Sequence, residues 1–124
     1  MPLRDEDVHM RMMQILADRY PNARVGYSDH TVGLLAPAVA AAAGARVIEK
    51  HITLDRATPV RNFQKKGRYL GTDHVLSLEP AELAEMVRNI RLIETMLGDR
   101  QWRRSAGELK LREFLRARFH QDAS

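Results

Sequence analysis

Cysteine is absent from the 124 residues. That absence excludes disulfides and thiolate metal sites, and it fits a reducing compartment such as the cytoplasm. Aromatic residues are few, at 6%. With no aromatic interleaving and no nucleic-acid-binding motif, the basic residues are a poor match for a nucleic-acid partner. Long apolar runs are missing as well. The longest, residues 32–45, has 14 residues and is rich in alanine, short of the roughly 18 that suggest a membrane span. The first ten residues are acidic and polar, unlike a secretion signal. Length sets a further limit. One domain fits into 124 residues, but a complete eight-fold βα barrel needs roughly 250.

What is present is ordinary in bulk and uneven in detail. Apolar residues make up 44% and the formal net charge is +4. Arg56, Arg61, Lys65, Lys66 and Arg68 follow one another with no acid until Asp73, and Arg100, Arg103 and Arg104 form a second group. A solvated surface accounts for such charges in general. The sharper alternative is an anionic ligand, a phosphate or a carboxylate.

Periodicity organises the chain. Val8, Met12, Ile15 and Leu16 fall at helical spacing and predict an amphipathic helix over residues 5–19. "YPNA" breaks it, and residues 23–27 predict a short strand. Residues 32–43 are apolar all round and predict a helix that is fully buried or packed tightly on a sheet. Pro37 falls in its first turn and Gly44 just past its end. Residues 45–51 predict a second strand. An irregular stretch runs from about residue 53 to 77. Pro80 then opens a helix striped by Leu83, Met86, Val87, Ile90, Ile93 and Leu97, with Gly98 ending it. Ser105 and Glu108 make a capping-box pattern ahead of Leu111, Phe114, Leu115 and Phe119. Strands alternating with helices predict an α/β fold of parallel βα units.

"VGYSDHT" and "VIEKHIT" each end a predicted strand with a histidine, His30 and His51. Ligands of βα folds bind at the carboxyl ends of the strands, and neighbouring strands lie about 4.8 Å apart. Two imidazoles delivered there can converge on one divalent ion. Two structural histidines, each with its own hydrogen bonds, are the plain alternative. Ser28, beside a predicted helix start near residues 31–33, could help bind phosphate; equally, Ser28 or Asp29 could cap that helix. In "GTDH", Asp73 and His74 could reach over the site, or form an Asx turn leading to the next helix.

In this order, "VGYSDHT", "ARVIEKHITLDR", "GTDHVLSLEP" and "ELAEMVRNIRLIETMLG" resemble the sialic acid synthase family, the N-acetylneuraminate, legionaminic and pseudaminic acid synthases. "DEDVHMRMMQIL" resembles the helix that precedes the first motif. The likeness covers about residues 4–98. It implies a TIM barrel of which this chain is the last part, about strands seven and eight with their helices, incomplete on its own. Residues 1–98 would be that barrel segment and 99–124 a helical extension without the family's antifreeze-like domain.

The resemblance also implies chemistry. Members condense phosphoenolpyruvate with an N-acetylmannosamine-type amino sugar and release phosphate, using a divalent metal, manganese or magnesium. His30 and His51 match the metal-binding histidines, and Ser28 matches a serine that contacts the phosphoenolpyruvate phosphate. Asp73 matches an acidic residue that contacts the sugar near the reacting centre, a substrate-binding and catalytic position. Asp29, Glu49 and Lys50 match motif letters and are expected to be structural support. "ATPVRNFQKKGRYL" looks like an insertion. Two strands cannot close a barrel, so the chain is expected to need the missing barrel half or to self-associate. The alternative is a non-catalytic remnant that self-associates and keeps a divalent-metal site.

Overall fold

The computed structural model describes residues 3–57 and 72–121. A 3-10 turn, Asp5–Asp7, is followed by helix α1 (Met12–Arg19), strand β1 (Gly26–Asp29), helix α2 (Leu35–Ala42) and strand β2 (Val47–Lys50). Helices α3 (Thr72–Leu76), α4 (Pro80–Leu97) and α5 (Ala106–Gln121) complete the order. The fold is α/β with parallel strands, as the alternation of elements predicts. Most of the insertion-like "ATPVRNFQKKGRYL", with Arg61, Lys65, Lys66 and Arg68, lies outside the described residues.

β1 and β2 pair in register from Gly26↔Val47 to Asp29↔Lys50. A Cβ at position 26 would stand 2.8 Å from the Val47 carbonyl oxygen, so only glycine permits this close approach of the strands. Each edge of the sheet gains one short contact. The Leu3 amide donates to the His30 carbonyl at 2.9 Å, and Ile52 bridges Leu78 in parallel.

Strand side chains alternate between faces. Tyr27, Asp29, Ile48 and Lys50 take the covered face; Gly26, Ser28, Val47 and Glu49 take the exposed one. α2 packs on both strands and against α4. Among the described residues, Met13, Ala40, Leu76, Leu78 and Met86 are the buried apolar ones, and Pro37 is buried in the first turn of α2.

α2 ends as its glycine predicts. Gly44 has φ +99°, its amide donates to Ala41 at 3.1 Å, and the Ala45 amide donates to Ala40 at 2.9 Å. These two bonds are a Schellman motif, which a left-handed residue makes possible. α4 keeps the predicted bounds. α5 opens on the predicted capping box: the Ser105 amide donates to Glu108 at 2.6 Å, and the Glu108 amide donates to the Ser105 hydroxyl at 3.2 Å.

Several expectations need correction. The helix expected over residues 5–19 is interrupted, because His9 sits at φ +46°, outside the right-handed helical region. Side-chain spacing carries no sign of such a backbone break. Of the expected stripe, Met12, Ile15 and Leu16 are exposed, and Met13 is the residue of α1 that is buried. Of the two placements expected for α2, full burial is not found and packing on the sheet is: Leu35 is 73% and Val39 43% exposed on the side away from it. β1 lies two to three residues later than expected, which puts Ser28 inside the strand and His30 directly after it. The stretch expected to be irregular contains α3.

Candidate metal centre

His30 and His51 each follow the last residue of a strand, and the register that pairs Asp29 with Lys50 brings them side by side. Their ring centroids lie 5.2 Å apart, with the planes inclined at 63°. Asp73, in the first turn of α3, reaches the same place. One donor atom from each of His30, His51 and Asp73 lies within 4.8 Å of the others. Donors at about 2.0–2.2 Å from one ion can be at most about 4.4 Å apart, so small side-chain rotations would close the set. Two neutral imidazoles and a carboxylate suit a divalent cation of the manganese, iron or zinc kind. His30 and Asp73 are exposed and His51 half-buried, which leaves room for further ligands.

Ser28 faces the same way as His30, two residues on, and its Oγ lies 3.3 Å from His30 Nε2. It does not flank a helix start. α2 begins at Leu35, and no side chain caps it, so neither Ser28 nor Asp29 serves as its cap. Asp73 belongs to a helical turn in place of the Asx turn weighed above, and its carbonyl accepts from the Ser77 hydroxyl at 2.6 Å. His74 points elsewhere: its Nε2 lies 3.0 Å from the Arg56 carbonyl oxygen.

Beneath the histidines is a buried polar network. Lys50 Nζ donates to Asp29 Oδ2 at 2.6 Å and to the Thr31 carbonyl at 2.5 Å. Asp29 Oδ1 accepts from the Thr31 amide at 2.9 Å, the Thr31 hydroxyl at 2.8 Å and the Tyr27 hydroxyl at 3.2 Å. The Lys50 and Asp29 side chains are 2% and 0% exposed. A buried charge without a partner is very costly, and here each charge has one. Burial first, and then the charge and hydrogen bond of Asp29, push the Tyr27 phenol up to about 12.

A second network holds α3 in place. The Arg56 guanidinium grips both carboxylate oxygens of Glu82 and donates to the Ser77 carbonyl at 3.0 Å. The Arg56 amide donates to Glu79 at 2.9 Å. The chain after β2 is thus tied to the turn that joins α3 to α4, one helical turn from Asp73. Arg56 is therefore engaged by acids of its own chain, and Arg103 pairs with Asp99 at 2.8 Å.

The sequence profile of the NeuB family matches residues 1–102. The chain belongs to the NeuB family. Among NeuB relatives, N,N'-diacetyllegionaminic acid synthase of Legionella pneumophila is 41% identical over 115 residues, 93% of this chain and 29% of that protein. Human N-acetylneuraminate-9-phosphate synthase is 42% identical over 97 residues, 78% of this chain and 24% of that protein. The crystal structure of N-acetylneuraminic acid (sialic acid) synthetase from Leptospira borgpetersenii superposes with a TM-score of 0.72 at 34% identity. That match covers 91% of this chain and 35% of the other. The chain therefore spans less than a third of these two curated relatives. α5 lies beyond the profile match.

Two features of this NeuB chain escape sequence reading. The Asp29–Lys50 pair depends on strand register, which no local pattern supplies. The Arg56–Glu82 pair joins residues far apart in sequence, and only the excess of basic residues hinted that Arg56 needed a partner.

Proposed function

We propose that the chain forms strands seven and eight of a sialic acid synthase-type barrel and carries part of its active site. The reaction is condensation of phosphoenolpyruvate with an N-acetylated amino sugar, with loss of phosphate. The observation that carries this reading is the convergence of His30, His51 and Asp73 at the carboxyl ends of two parallel strands, in a chain of this family.

Each residue has a part. His30 and His51 would hold a divalent cation, with Asp73 as a third donor. A cation bound there supplies Lewis-acid polarisation of the sugar aldehyde and a template for orientation. Ser28, a hydrogen bond from His30, donates its hydroxyl to the phosphate of phosphoenolpyruvate, so the phosphate and cation subsites are contiguous. Asp73 has two carboxylate oxygens and can face the sugar with one of them. Asp29, Lys50 and Arg56 stay out of contact with substrate and hold these groups in place.

Phosphate release from phosphoenolpyruvate and N-acetylmannosamine with manganese tests the reading. The expected result is no turnover by the chain alone and turnover when the first six strands of a relative are co-expressed with it. Loss of that turnover in His30→Ala is the further requirement. A His30→Ala assembly as active as the parent would overturn the assignment.

Exposed apolar residues favour a second reading. Met12, Ile15 and Leu16 on α1, Val47 on β2 and Ile52 just after it are all open, which suits a non-catalytic remnant that self-associates. Sedimentation separates the two: a stable homo-oligomer that the barrel strands cannot displace supports the remnant.

A further inference from the structure

We propose that Lys50 is a positioning residue that sets the relation between His30 and His51; its use in metal binding rests on the reading above. The ammonium of Lys50 takes hold of Asp29 and of Thr31, the residues on either side of His30, at 2.6 and 2.5 Å. Lys50 itself immediately precedes His51. One group thus fixes the backbone on both sides of the first histidine and on the near side of the second.

The geometry goes beyond a pair that merely neutralises itself. Asp29 and Lys50 are register partners, at the last rung before both histidines. A slip of one residue would turn one histidine to the opposite face of the sheet. Both side chains are sealed from water, so the donors keep fixed directions. The second Asp29 oxygen is held by the Thr31 amide and hydroxyl, which ties the chain after His30 back to the strand before it. The histidines themselves are open and half-open, and beyond each other's rings and the Ser28 hydroxyl beside His30 their exposed faces give them little to lean on. Their orientation is imposed from below.

The test uses the 124-residue chain and two variants, Lys50→Met and Asp29→Asn/Lys50→Met. The double variant leaves no buried charge and separates position from charge burial. Two readouts are taken: the through-space proton contact between the two imidazole rings without metal, and manganese affinity by calorimetry. The expected result is a folded double variant without the ring–ring contact and with manganese binding about 10–100-fold weaker, the usual loss when support of a ligand is removed. A folded double variant that keeps both the contact and the affinity overturns the proposal. So does a double variant that fails to fold, since the pair then serves the fold itself. If the parent shows the ring contact and the variant loses it, but the parent binds no manganese, positioning stands and the metal reading fails.

Discussion

Arg56 and Glu82 form a two-pronged ion pair that ties the chain leaving β2 to the first turn of α4. The hydrogen bonds from Arg56 hold the Glu82 carboxyl down at about 2, helped by the Glu79 amide. In the unfolded chain the same carboxyl titrates near 4.5. The folded state therefore binds this proton less readily. The stabilisation is fully present above pH 4.5 and is lost as pH falls towards about 2. Glu82→Gln keeps an acceptor for the Glu79 amide and removes the charge. Urea midpoints of parent and variant should differ most near neutral pH and converge across that window. A constant difference at all pH values would contradict the account.

Tyr27 sets the opposite limit, in alkali. Its phenol is raised from 10.0 to about 12 by burial and by Asp29. The folded state holds this proton more tightly than the unfolded one. Stability is untouched below pH 10 and declines as pH rises from there to about 12. Absorbance titration should show a late phenolate that is absent from Tyr27→Phe. A late phenolate that survives in Tyr27→Phe would belong to another residue.

These two networks mark where sequence reading stops. α4 was legible because its signals are local: Pro80 at the start, a stripe at helical spacing, Gly98 at the end. The placement of His30 and His51 at strand ends was legible for the same reason. The strands were found but displaced, since four-residue strands leave too few alternations to fix their bounds. The break at His9 was invisible, because the apolar spacing continues across it. Apolar character left open whether α2 is buried all round or packed on the sheet, because coverage depends on neighbours, and α2 has them on one side. Asp29 with Lys50 and Arg56 with Glu82 depend on register and on packing between distant elements.

Gly44 gives a direct test of one local signal. Nothing lies within 4 Å of a Cβ built at Gly44, so Gly44→Ala meets no obstruction. Any loss of stability then comes from its φ of +99°. The expected cost is about 1–2 kcal/mol, the penalty for a Cβ in a left-handed conformation. Urea unfolding measures it. A neutral Gly44→Ala would mean that the end of α2 rearranges and the Schellman bonds to Ala40 and Ala41 are given up at no cost.

The last prediction concerns how α3 reaches the site. His30 and His51 sit on strand ends and need nothing from Arg56, whereas Asp73 sits on a five-residue helix too short to hold itself. Its anchors are the Arg56 bonds to Ser77 and Glu82 and the His74 contact with the Arg56 carbonyl. If Arg56 acts by placing Asp73, then Arg56→Met weakens manganese binding only while Asp73 can act as a donor. Asp73→Asn and Arg56→Met should each cost up to about tenfold in affinity, and the double variant should cost no more than Asp73→Asn alone. Contacts within one network couple in this way, whereas independent sites add. Calorimetric titration of the four proteins measures the coupling. Strictly additive losses would show that Arg56 acts on the fold as a whole and that α3 holds Asp73 by other means.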